Sequence, residues 1–218
     1  MKRFSHAMRL FFGGLLCGII ILTGCEGGGD SHLGDGHDFG DNNSDLYAAV
    51  GDSITEGLTL SDPSARFSDR LAGMLNKTVI NAGYAGYETP QILSVLNSVL
   101  NQYKPGYVLI LAGVNDIIMG YGEDFASANI RLMIQACRDN MTIPVVATLT
   151  PVTGSYSAFS SGVYRLNENI RQLCSELDVT LVDLSEAFQK NPAFLSDGLH
   201  PNEAGHALIA MTFYDVVK

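Results

Sequence analysis

From Leu46 onward, short apolar runs alternate with longer stretches of helical period, and few folds accommodate that alternation. The runs Leu46 to Gly51, Thr78 to Ala82, Tyr107 to Ala112, Pro144 to Thr150 and Thr180 to Leu184 have the length of strands. Between them, apolar residues recur with helical spacing near 64–76, 90–103, 124–140 and 160–178, and a last helical stretch covers about 202–216. Strands that alternate with helices predict a parallel sheet covered on both faces, a three-layer α/β/α domain with five strands. Thr89 followed by Pro90 reads as a capping residue ahead of a proline in the first helical turn, and Pro105 follows that helix. No repeat and no second domain is visible. Leu46 to Lys218 is one domain of 173 residues, long enough for a sizeable core.

The first 45 residues follow different rules. Lys2, Arg3 and Arg9 make a basic start, and Leu10 to Leu22 is an apolar run interrupted mainly by glycine. At about 13 residues the run is short for a membrane span of roughly 20 and fits the core of a secretory signal over residues 1–24. It closes on Leu22-Thr23-Gly24-Cys25, which resembles a bacterial lipobox and makes Cys25 the candidate lipidated residue. An ordinary signal peptide or an N-terminal anchor helix are the competing readings. Glu26 follows that cysteine where an aspartate would favour inner-membrane retention. The expected location is therefore extracytoplasmic, membrane-anchored, with the outer membrane favoured. Residues 26–45 are rich in glycine, aspartate and asparagine, a composition that predicts a flexible acidic tether from 25 to 45. Its histidines, His32 and His37, lack the spacing of a calcium loop.

The full chain carries a formal charge of −10, and removing residues 1–24, with three basic and no acidic groups, takes it to about −13. Such a chain repels phosphate backbones, so no nucleic-acid partner is expected. Cys137 and Cys174 both fall in helical patterns among apolar residues and read either as a disulfide or as two buried thiols. Oligomeric state is not legible.

In open parallel sheets, ligands sit beyond the carboxyl ends of the strands. Ser53 follows the first predicted strand, Gly83 and Gly86 the second, Asn115 the third, and Asp197 and His200 lie after the fifth, so all of these fall on one rim. A serine hydroxyl needs a base to take its proton as it attacks, and a histidine, with an ordinary pKa of about 6.5, suits that task near neutrality. Asp197, three residues before His200, can fold back to hold the other ring nitrogen. Asp52 and Asp116 read as braces for loop backbone rather than reacting groups.

The strings Gly51-Asp52-Ser53, Asn81-Ala82-Gly83-Tyr84-Ala85-Gly86, Gly113-Val114-Asn115-Asp116 and Asp197-Gly198-Leu199-His200-Pro201 together resemble the four blocks of the SGNH-hydrolase family, the GDSL-type esterases and lipases. Ile54 stands where that family usually has leucine. The resemblance spans nearly all of residues 46–218 and implies a flavodoxin-like fold and a serine esterase acting through an acyl-enzyme. It implies Ser53, Asp197 and His200 as the catalytic triad, with an oxyanion hole from the N–H groups of Ser53 and Gly86 and the side chain of Asn115. Gly83 is the alternative to Gly86.

No Gly-x-Ser-x-Gly elbow, His-Glu-x-x-His helix, Cys-x-x-Cys pair or phosphate loop is present, so no metal or cofactor is expected. Loops around Tyr84, Tyr87, Tyr121, Tyr156 and Phe159 are short and carry no lid, which points to small acyl esters or acylated carbohydrates. A lysophospholipase or acyl-thioesterase of the same family, or a glycan-binding surface lipoprotein without catalysis, are the alternatives.

Overall fold

The computed structural model describes residues 32–218. The predicted signal segment, Cys25 and the first part of the predicted tether lie outside the described residues. In chain order the elements are β1 (Asn43–Gly51), α1 (Ser53–Glu56), α2 (Phe67–Leu75), β2 (Thr78–Gly83), α3 (Thr89–Tyr103) and β3 (Pro105–Leu111). Then come α4 (Val114–Ile118), α5 (Glu123–Asp139), β4 (Ile143–Ala147), α6 (Ser160–Leu177), β5 (Thr180–Val182), α7 (Leu184–Phe188) and α8 (Glu203–Val217). The five strands form one sheet in the order β2-β1-β3-β4-β5, every neighbouring pair parallel. This is the expected three-layer α/β architecture.

The order dictates where the helices go. The chain first steps from β1 outward to β2, then doubles back past β1 to β3 and continues to β5. Right-handed crossovers therefore put α2 on one face and α3, α5 and α6 on the other. In agreement, α2 packs against α8, while α5 lies between α3 and α6. Both faces of the central strands are covered, and Ala48, Val50, Val108 and Ile110 are wholly buried. The step reverses between β1 and β3, and the crevice at that reversal is where such sheets open a site.

Local chemistry sets the element ends. The cap of α3 is Glu88, whose N–H donates to Oε1 of Gln91 at 2.9 Å, so Thr89 is the first helical residue and not the predicted cap. Its side chain is free for another task, described below. Cys137 and Cys174 are buried, unpaired thiols on α5 and α6, and burial pushes them up to about 12 and about 11 respectively.

The described part of the predicted tether packs against the domain. Residues 32–42 form a strap across the amino ends of β3 and β4, the pole opposite Ser53. The hydroxyl of Tyr107 donates to the carbonyl of Leu33 at 2.8 Å, and Asn42 Nδ2 donates to the carbonyl of Asn140 at 2.5 Å. The Phe39 ring lies 5.4 Å from that of Tyr107, which itself stacks on Tyr47. β1 then begins at Asn43, three residues before the predicted start. Its polar composition conceals two apolar side chains, Leu33 and Phe39, that pack against the core.

Candidate active site

Ser53 sits where β1 turns into α1. The turn is closed from behind by Asp52, whose Oδ1 accepts the N–H of Ile54 at 2.9 Å and caps the short helix. Gly83 has no room for a side chain, because a Cβ there would meet the backbone of Thr55 and Glu56. This close approach seats α1 directly on the end of β2 and holds Ser53 at the rim.

His200 and Asp197 arrive on the connection between α7 and α8. Leu195 and Pro201 pair as an antiparallel bridge, and Ser196 N–H donates to the carbonyl of His200 at 2.8 Å, closing a tight loop. Within it Asp197 Oδ1 accepts the N–H groups of Leu199 at 3.0 Å and His200 at 2.8 Å, and its Oδ2 lies 2.7 Å from His200 Nδ1. Burial raises the Asp197 carboxyl, but the backbone and ring N–H groups of His200 and the N–H of Leu199 outweigh it and hold it at about 2. An ionised carboxylate there fixes the ring proton on Nδ1 and leaves Nε2 as an acceptor. That nitrogen lies 3.0 Å from Ser53 Oγ. Residues 147 positions apart thus form one continuous hydroxyl, imidazole and carboxylate chain.

The loop from Tyr84 to Tyr87 bridges the two strand ends beside the serine. Tyr84 N–H donates to the carbonyl of Gly51 at 3.1 Å, and Asn115 Nδ2 donates to the carbonyl of Tyr87 at 2.9 Å. Only one of the two amide protons of Asn115 is used in this way. Gly86, with φ of 78°, adopts a left-handed conformation that side chains disfavour. Neither its N–H nor that of Ser53 donates to any acceptor among the described residues. Gly83 N–H, in contrast, is taken by Asn81 Oδ1 at 3.1 Å. The N–H groups of Ser53 and Gly86 and one amide proton of Asn115 are therefore unspent among the described residues, whereas the N–H of Gly83 is not.

Asp116 braces this loop from beneath. Fully buried, it accepts Thr89 Oγ1 at 2.6 Å and Thr89 N–H at 3.0 Å, which ties α4 to the start of α3. Burial raises its carboxyl against those hydrogen bonds. Asp52 is also fully buried, and its Oδ2 has no hydrogen-bond partner among the described residues. Burial pushes this carboxyl up to about 7, with the Ile54 N–H and His200 opposing and Asp116 adding to the rise.

His206 takes no part in this arrangement. It is buried on α8, its Nδ1 accepts the N–H of Phe67 at 3.2 Å, and burial, then Arg70 and Arg66, hold it down at about 4. No group of three His, Cys, Asp or Glu capable of holding a metal occurs among the described residues. His37, on the strap, contacts the carbonyl of Met141 instead.

Of the aromatic residues expected near the cleft, Tyr84 and Tyr121 are exposed, whereas Tyr87, Tyr156 and Phe159 pack partly on the core. Tyr84 and Tyr87 stack with ring centroids 5.1 Å apart. Three contributors carry no motif. They are the Tyr87 carbonyl that aims Asn115, the Thr89 side chain that holds Asp116, and Thr153, whose N–H donates to the carbonyl of Gly198 at 2.7 Å. Each is a long-range contact, and no local pattern announces it.

The family model of the GDSL-like lipase/acylhydrolase family matches residues 49–208. The chain is 26% identical over 173 residues to thioesterase 1/protease 1/lysophospholipase L1 of Escherichia coli K12, covering 77% of this chain and 80% of that one. It is 25% identical to the arylesterase of Vibrio mimicus, covering 77% and 85%. Among solved structures, a member of the lipolytic protein G-D-S-L family from Veillonella parvula superposes with a TM-score of 0.70 at 19% identity, over 78% of this chain and 97% of that one.

Proposed function

Since the chain belongs to the GDSL-like lipase/acylhydrolase family and is a serine ester hydrolase, we propose that Ser53, His200 and Asp197 are its catalytic triad and that its substrates are small acyl esters or acylated carbohydrates. The observation that carries this reading is the unbroken chain from Ser53 Oγ through His200 to Asp197, with distances of 3.0 and 2.7 Å.

Ser53 Oγ attacks the ester carbonyl while His200 Nε2 takes its proton, and Asp197 stabilises the resulting imidazolium. The carbonyl oxygen gains the negative charge. It meets the three unspent donors, the N–H groups of Ser53 and Gly86 and the second amide proton of Asn115. Collapse breaks the bond to the alcohol oxygen, which leaves with the proton from His200, and an acyl-Ser53 remains. A water then repeats the sequence with His200 again as base, releasing the acid and restoring the hydroxyl.

The open rim and the exposed Tyr84 support small or carbohydrate-linked esters over long acyl chains. The arylesterase relative fits the same preference. Hydrolysis of acyl-thioesters or lysophospholipids is the second reading, favoured by the name of the E. coli relative. Rates on p-nitrophenyl esters from acetate to palmitate, set beside acetylated sugars, separate the two. A maximum at acetate supports the proposal, and a rise toward long chains supports the alternative.

We further propose that the mature enzyme is a lipoprotein anchored through Cys25 on the outside of the cytoplasmic compartment, with the outer membrane favoured. The basic and apolar run ending in Leu22-Thr23-Gly24-Cys25 supports it. Mass spectrometry of the mature N-terminus tests it, since an unmodified Cys25 or cleavage elsewhere rules the anchor out.

A further inference from the structure

Beside the Asp197–His200 loop lies a groove of about 510 Å³ that contains none of the triad residues. Its walls come from the chain after β4, the first turns of α6, Ser185 on α7 and Lys190 just beyond. Thr153 links it to the site, because the Thr153 N–H holds the carbonyl of Gly198, the neighbour of Asp197. By strand order the groove stands over β4 and β5 while Ser53 follows β1, so it lies two to three strand spacings away, about 10–15 Å.

The lining has an unusual charge for this protein. The chain carries 23 acidic and 13 basic residues, yet the groove presents two cations, Arg165 and Lys190, and no carboxylate. Arg165 is already paired with Glu123 at 2.5 Å, whereas Lys190 makes no ion pair or hydrogen bond among the described residues. Lys190 is also held in an unfavourable backbone. Gln189 and Lys190 have φ of 48° and 55°, two consecutive left-handed residues with Cβ atoms, a conformation that single non-glycine residues seldom adopt. The rest of the lining is neutral and mixed. Ser160, Ser161 and Ser185 supply hydroxyls, Val152 and Val163 supply an apolar floor, and Tyr164 exposes 61% of its surface at the edge.

A cation without a partner asks for an anion, hydroxyls ask for a polyhydroxylated body, and an exposed ring offers a face for a sugar to lie against. We propose that this groove is a second substrate subsite that holds a carboxylate-bearing sugar unit of an acylated glycan, with Lys190 as its charged contact. The proposal rests on the ester-hydrolase reading of Ser53 and deepens it, because a ligand reaching both places must be an oligomer rather than a small ester.

The test is titration of the purified full-length protein with a trisaccharide of galacturonic acid and with a neutral trisaccharide of the same length, alongside p-nitrophenyl acetate turnover. The acidic trisaccharide should bind more tightly than the neutral one, and added salt should weaken only the acidic binding. Lys190→Glu should weaken the acidic trisaccharide about tenfold or more, leaving the neutral one and p-nitrophenyl acetate hydrolysis unchanged. Lys190→Met, which keeps the aliphatic stem, should show a smaller loss of the same kind. Equal affinity for the two trisaccharides, or acidic binding insensitive to Lys190→Glu, overturns the subsite. Loss of p-nitrophenyl acetate turnover in the wild type would instead count against the esterase reading, while the titration would still decide the groove.

Discussion

Replacing Asp197 by asparagine separates what this carboxylate does for the fold from what it does for the reaction. Its Oδ1 accepts the N–H groups of Leu199 and His200, and an amide oxygen can accept both, so the loop keeps its shape. Its Oδ2 faces His200 Nδ1 at 2.7 Å, and there the amide nitrogen of asparagine would be a donor. The imidazole must then accept at Nδ1 and carry its proton on Nε2, the atom 3.0 Å from Ser53 Oγ, where it can no longer act as base. Loss of the correct tautomer costs about 10⁴ in kcat where the carboxylate is buried. Asp197 is 43% exposed, so water can replace part of its role, and we expect a loss of about 10³. The stability effect should be modest. The carboxyl is held at about 2, below the ordinary range, so it stabilises the fold above pH 4 and loses that contribution as pH falls toward 2. After discounting for its exposure, the contribution is about 1 kcal/mol. The assay is p-nitrophenyl acetate turnover at pH 7.5 with urea unfolding of the same samples. Activity within tenfold of wild type, with an intact fold, would refute the orienting role.

Asn115→Ala should lower kcat by about 10²–10³ with a smaller effect on KM, the cost of one oxyanion donor. Activity within twofold would remove Asn115 from that role. For stability against pH, two buried groups oppose each other over the same window. His206, held at about 4, must gain a proton on unfolding below about pH 6.5, so its contribution falls by on the order of 3 kcal/mol as pH drops from 6.5 to 4. Asp52, pushed up to about 7, binds its proton more tightly when folded, so its contribution falls as pH rises from about 4 to 7. Asp52→Asn should therefore expose the His206 slope in urea unfolding between pH 4 and 7, and a flat profile in that variant would contradict it. Phe39→Ala should cost about 2 kcal/mol by undocking the strap from Tyr107, with kcat unchanged because the strap lies at the opposite pole. Unaltered urea unfolding would show that the strap is not docked in solution.

Much of the architecture was legible because burial and periodicity coincide. Tyr107 to Leu111 is apolar at every position as its strand is buried on both faces, and the long helices α3, α5, α6 and α8 begin and end within two residues of their predicted bounds. α1, α4 and α7 were not legible, since four or five residues are too few to display a period. The strap is hidden in the sequence because Leu33 and Phe39, the apolar side chains it packs on the core, are averaged away by its polar composition. Within the site, Ser53, Asn115 and His200 were readable because each ends a strand or opens a loop with its own short motif. The Tyr87 carbonyl that Asn115 meets is a contact between residues far apart in sequence, and although the resemblance already favours Gly86, only coordinates show that the Gly83 N–H is taken by Asn81. The groove at Lys190 draws on several separate stretches of chain, none with a pattern of its own.

Covalent labelling decides whether Ser53 is the nucleophile. A fluorophosphonate probe reacts only with a serine whose proton is being removed, so the labelled peptide names the residue without assuming a substrate. One label per chain is expected, on the peptide containing Ser53, abolished in Ser53→Ala and strongly slowed in Asp197→Asn. A label on any other residue, or labelling that persists in Ser53→Ala, would contradict it.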